Sequence, residues 1–139
     1  MIENRTKKTR VIIDTDVDID DWMAMLYLLN HPHIEVVGIT VVGTGAAHLE
    51  IGVRNVLKLV QLAGFPELPV ARGLGTPMAY DHQFPAAIRD QMDGMFGIHL
   101  PDNPRPALPS ALELLREQLS TSAEKLTILA IGPLTNLAA

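Results

Sequence analysis

Asp14, Asp16, Asp18, Asp20 and Asp21 put five carboxylates into eight residues. Like charges at that density repel, and a hard divalent cation such as Ca²⁺ or Mg²⁺ turns the repulsion into coordination by taking carboxylate oxygens. The competing reading is a solvated turn, because Asp is common in loops and favoured at helix starts. The flanks argue for the cation. Residues 10–13 read as a buried β-branched strand, and the strongly apolar stretch from Asp21 to Leu29 reads as a helix ended by Asn30 and Pro32. The run therefore falls between the carboxyl end of a strand and the start of a helix, where open parallel sheets bind their ligands. The helix dipole also favours anions there, so Asp20 and Asp21 have a structural use as well.

Spacing separates the chemistries open to such a run. An EF-hand loop needs Gly at its sixth position and Glu at its twelfth. Counting from Asp16 gives Asp21 and Tyr27, and counting from Asp14 gives Ile19 and Met25, which excludes it. The Asp14-x-Asp16 pair resembles that of haloacid dehalogenase-like phosphatases, although Asp18 stands where that family has Thr or Val. The wider pattern, Asp14-Thr15-Asp16 followed by Asp20-Asp21, resembles the Asp-x-Asp-Pro-Gly-x-Asp-Asp signature of the inosine-uridine-preferring nucleoside hydrolases, with Val17-Asp18 in place of Pro-Gly. Near the other end, Ile131-Gly132-Pro133-Leu134-Thr135-Asn136 is similar to that family's Gly-Pro-Leu-Thr-Asn turn. Two departures accompany the match. Gly43-Thr44-Gly45 replaces the Asn usual after the second strand, and Asp90 occupies the position usually held by His in the loop ending Asp93-Gly94.

The resemblance implies an N-ribohydrolase that splits a nucleoside into ribose and free base through an oxocarbenium-like sugar, using a Ca²⁺-bound water. By the family's pattern Asp16 is a metal ligand and the general base, Asp21 a second ligand, and Ile131 a backbone-carbonyl ligand. Asp20 and Asp14 fall on the ribose side, as does Thr44. The family's partners and setting imply a nucleoside substrate, a homo-oligomer when complete, and a cytoplasmic role in nucleoside salvage. Two alternatives stand beside this: a non-catalytic Ca²⁺-binding fragment of the same fold, and the phosphatase.

The elements that must position these residues alternate. Strands are expected near 10–15, 34–42, 69–72 and 125–131, and helices near 20–30, 46–63 and 108–120, with a short one near 85–91. Alternation of this kind specifies α/β architecture, a Rossmann-like open parallel sheet with flanking helices and right-handed crossovers. Residues 1–9 read as a polar N-terminal extension and 10–139 as the N-terminal part of one domain, because family members run to about twice this length and the fold is expected to be incomplete at the carboxyl end. Trp22, Met23, Met25, Leu26 and Leu29 read as a core face. His31 and His33 read as an exposed pair, His48 as a helix-start residue, and His82 and His99 as loop residues within reach of a base.

Composition sets the outer bounds. The chain is 47% hydrophobic and 19% charged, with a formal net charge of −5, which argues against nucleic acid or an anionic membrane as the main partner. Its sequence has no Cys, which excludes disulfides, thiol catalysis and Cys-bound zinc. No apolar run reaches membrane-spanning length, and the basic first ten residues lack the apolar core of a secretory signal.

Overall fold

A computed structural model describes residues 7–139; most of the expected N-terminal extension lies outside them. The chain alternates β1 (Thr9–Thr15), α1 (Ile19–Leu29), β2 (Ile34–Val41), α2 (Leu49–Leu62), β3 (Val70–Arg72), α3 (Ala86–Asp93), a 3₁₀ turn (Met95–Gly97), α4 (Ala111–Thr121), β4 (Leu126–Ala130) and α5 (Thr135–Ala138). Four parallel strands form one sheet in the order β3-β2-β1-β4. β1 is therefore central, and its residues Val11, Ile12 and Ile13 are buried, as a strand covered on both faces requires.

The order places the site. The chain winds from β1 outward through β2 to β3, then returns across the sheet to set β4 on the other side of β1. Strand order thus reverses between β1 and β4, and in open α/β sheets the crevice outside the carboxyl ends at such a reversal is the ligand position. The residues at that point are Asp14 to Asp16 from β1 and Ile131 just past β4. A register shift between Val11 and Ile12 leaves Val37 without a partner in β1 and brings Thr40 opposite Asp14.

α1 packs through Trp22, Met25 and Leu29, but Met23 is 70% exposed. It was expected in the core; with Ile19 and Tyr27, at i−4 and i+4, it lies on the outer face of the helix instead. Other boundaries differ by a few residues. α2 starts at Leu49 rather than 46, because the amides of Ala46 and Ala47 bond to Asp16. α4 starts at Ala111 because Leu108 pairs with the β3 edge, its N–H bonding to Val70 O. Thr9 already belongs to β1, so the strand begins one residue before the expected domain start.

Candidate active site

Asp14, Asp16 and Asp21 are all buried, while Asp20 is exposed in the first turn of α1. Each buried carboxylate has its own donors. Asp14 Oδ1 accepts from Thr40 Oγ1 at 2.5 Å and from Asn136 Nδ2 at 2.8 Å, whereas its Oδ2 is buried with no partner among the described residues. Asp16 Oδ2 accepts the Ala46 N–H at 2.9 Å, and its backbone carbonyl accepts that of Ala47 at 3.0 Å. Asp21 Oδ2 accepts from Thr15 Oγ1 at 2.5 Å and from the Val17 N–H at 3.2 Å. Asp18 stands apart from this set: it caps α1, its side chain accepting the Ile19 N–H.

The loop joining β1 to α1 is bent by Val17, which takes a left-handed conformation with φ 67°. A β-branched residue rarely adopts it, and contacts on both sides hold it there. The Val17 carbonyl accepts the Trp22 indole N–H at 2.9 Å, and its N–H lies between Thr15 Oγ1 and Asp21 Oδ2. Trp22 is thus more than core packing.

Electrostatics follow from burial. Desolvation raises the Asp14 carboxyl above the ordinary carboxylate range, with Asp16's charge adding to it against the hydrogen bonds from Thr40 and Asn136. Burial likewise pushes Asp21 up to about 7, opposed by the Thr15 bond and reinforced by the neighbouring Asp16 and Asp20 carboxylates. None of the ion pairs among the described residues involves these three aspartates.

A hard cation suits this donor set. Every donor is an oxygen, the charges are buried and uncompensated, and glycines leave space around Asp16. A Cβ on Gly132 would lie 2.7 Å from Asp16 N, and one on Gly45 would overlap Asp16 Oδ2. Among the described residues no three carboxylate or imidazole side chains converge as a ready metal cage. The five-carboxylate run therefore resolves into a narrower set: Asp16 and Asp21 together, Asp14 turned to Thr40 and Asn136, Asp18 a cap, and Asp20 at the surface. Ile131 is held against β1 by its N–H bond to Asp14 O at 2.9 Å, beside Gly132.

A cavity of about 260 Å³ adjoins, lined by Thr44, Met78, Tyr80, His82, Leu134 and Thr135 among others. Thr44 and Thr135 hydroxyls meet at 2.9 Å across its floor. His82 lines this cavity and His99 is exposed without joining it. His48 is the N-cap residue of α2, as its position suggested, and pairs with Asp93. Thr15, Thr40 and Asn136 were not singled out from sequence; the Asn of the Gly-Pro-Leu-Thr-Asn turn was the one available signal.

A parallel α/β sheet with an acidic loop at its switch point defines an open α/β fold with a ligand-binding crevice, and comparison with known proteins gives the family. Residues 11–139 match the model of the inosine-uridine preferring nucleoside hydrolases, and the chain belongs to that family. It is 39% identical over 133 residues to uridine nucleosidase 1 of Arabidopsis thaliana, covering 95% of this chain and 39% of that protein. It is 35% identical over 132 residues to the pyrimidine-specific ribonucleoside hydrolase RihA of Klebsiella pneumoniae, covering 92% of this chain and 41% of the relative. Among solved structures, the purine-preferring ribonucleoside hydrolase from Gardnerella vaginalis superposes with a TM-score of 0.77 at 30% identity, over 94% of this chain and 42% of that one. The chain thus spans about two fifths of the length of the relatives it matches. Family membership leaves the phosphatase alternative without support.

Proposed function

We propose that this chain supplies the metal- and ribose-binding part of a Ca²⁺-dependent nucleoside N-ribohydrolase that acts in cytoplasmic nucleoside salvage as a homo-oligomer. The observation that carries the reading is the pair Asp16 and Asp21, buried together at the sheet's switch point with no cationic side chain paired to them among the described residues. Asp16, Asp21 and the Ile131 carbonyl would hold the ion. Bound Ca²⁺ would supply a Lewis acid that grips the ribose diol and makes water easier to deprotonate.

The residues of the chain do the rest. Asp16, fixed by the Ala46 N–H, takes the proton from the attacking water as general base. Asp20, exposed at the start of α1, accepts a hydrogen bond from a ribose hydroxyl. Asp14 sustains negative potential beneath the sugar, where positive charge develops as the N-glycosidic bond breaks. Thr44 faces the cavity, which takes the base between Tyr80, His82 and Leu134. The names of relatives divide between pyrimidine and purine nucleosides, so the base is left open. No helix among the described residues is long and apolar enough to cross a membrane.

Asp16→Asn tests the assignment in the chain assembled with the remaining portion of a relative, where turnover is expected. It should abolish nucleoside hydrolysis and leave the circular dichroism spectrum unchanged, since it removes a ligand charge and the base together. Turnover at the wild-type rate by folded Asp16→Asn protein would overturn the assignment. Elemental analysis should find calcium, and stoichiometric zinc in active protein would count against the metal.

A further inference from the structure

Arg89, on α3, sends its guanidinium across to the loop of residues 43–48. Its Nη2 donates to Gly43 O at 2.9 Å and to Ala47 O at 2.8 Å, and its Nε is buried without a partner among the described residues. Those two carbonyls bracket Thr44, Gly45 and Ala46. The bracketed loop makes the contacts described above: Ala46 N–H to Asp16 Oδ2, Ala47 N–H to Asp16 O, and Thr44 Oγ1 to Thr135 Oγ1. Gly43 also donates its N–H to Leu74 O at 2.8 Å. The cavity-lining segment between Leu74 and Arg89 is therefore tied to Gly43 at both ends, by the Leu74 carbonyl at one and the Arg89 guanidinium at the other.

Asp93, four residues on and so on the same face of α3, anchors the helix independently. Its Oδ1 accepts the His48 N–H at 2.9 Å and its Oδ2 meets His48 Nδ1 at 2.6 Å, while Asn55 Nδ2 donates to its carbonyl at 3.0 Å. α3 thus has anchoring contacts that do not involve Arg89, whose own bonds go to Gly43 O and Ala47 O.

We propose that Arg89 is a positioning residue: it clamps loop 43–48 so that the Ala46 N–H fixes the Asp16 carboxylate, and through Gly43 it couples that grip to the wall of the base cavity. This rests on the function proposed above for Asp16, but the clamp itself is read without it. A guanidinium suits the task because the two hydrogens of its planar Nη2 group are held at a fixed angle, one for each carbonyl.

Amide hydrogen exchange on wild type, Arg89→Met and Arg89→Lys decides the matter. Arg89→Met keeps the apolar stem and removes every donor. Exchange at Ala46 and Ala47 should accelerate at least roughly tenfold, while Ile13 and Ile39 in the sheet keep their protection. Arg89→Lys should recover part of it. Unchanged exchange at Ala46 and Ala47, or an equal loss across the sheet, would overturn the clamp. If Arg89→Met does not fold, Arg89→Lys is judged by the same local-against-global contrast. Calorimetric titration with CaCl₂ adds a second reading, in which Arg89→Met should weaken binding by roughly 10- to 100-fold, the usual scale for groups that orient a ligand. Wild-type protein that binds no Ca²⁺ would count against the function proposed for Asp16, and exchange at Ala46 and Ala47 would still decide the clamp.

Discussion

Asp14 has two donors on one oxygen and none on the other, all under burial. Asparagine keeps the accepting oxygen for Thr40 and Asn136 and removes the desolvated charge, so Asp14→Asn should leave unfolding free energy unchanged or raise it. Asp14→Ala strands both donors and should cost about 1–3 kcal/mol per group left unsatisfied, measured by urea denaturation. Equal losses in the two variants would show that the carboxylate's charge, not its acceptor, is what the fold uses. Asp21 carries a pH signature. With its carboxyl raised to about 7 in the folded state, the native protein holds a proton that the unfolded chain has released. Metal-free stability should therefore fall as pH rises from about 4 to 7, with the unfolded state binding fewer protons throughout that window. On the proposed assignment Ca²⁺ would take the place of that proton, so its addition at pH 7.5 should raise the melting temperature and its addition at pH 4 should not. A metal-free melting temperature that climbs between pH 5 and 7.5 would contradict the assignment to Asp21. Which aspartate does what was only partly legible from sequence. Asp18 as a helix cap and Asp16 as a buried carboxylate held by the Ala46 N–H carry the same side chain two residues apart, and only the turn at Val17 separates their environments.

At the scale of elements, α4 covers β2 and β3 through a small second core of Ala71, Ala111 and Leu114. Leu114 lies 3.1 Å from where a Cβ on Gly38 would sit, so helix and sheet meet there because Gly38 has no side chain. Leu114→Ala should cost roughly 2–5 kcal/mol, the range for a buried Leu whose site cannot collapse. A loss under about 1 kcal/mol in urea denaturation would mean that α4 is not held there. Strands and helices were the most legible level, since β1 and β2 announce themselves by β-branched runs and α1 by its apolar length. Their exact starts were not legible. The first residues of what periodicity reads as α2 have their amides drawn to Asp16 instead, and that competition depends on a contact 30 residues away in sequence. Met23 fails for a related reason: an all-apolar helix hides which face is inside, and the sheet sets it. Arg89 was invisible because a lone Arg in a short helix has no pattern around it.

For the whole molecule, β4 is an outer strand of the sheet, with Thr127 exposed and its other residues only half-buried. A parallel strand in this position normally has both faces and a further neighbour to cover it, and unpaired edges with apolar neighbours invite association. The chain's net charge of −5 opposes that association only weakly at physiological ionic strength. On the proposed ligand set, Asp16, Asp21 and the Ile131 carbonyl would give Ca²⁺ fewer than the six to eight oxygens it prefers, so water would have to fill the remaining positions and affinity would drop. The 139 residues alone are therefore expected to sediment as a mixture of species, to bind Ca²⁺ weakly, and to release no base from inosine or uridine by chromatography. Supplying the remaining portion of a relative in trans should restore some turnover by completing the ligand set. Base release by the purified 139-residue chain, lost on Asp16→Asn, would show instead that water can complete the coordination sphere and that the site described here is sufficient for hydrolysis.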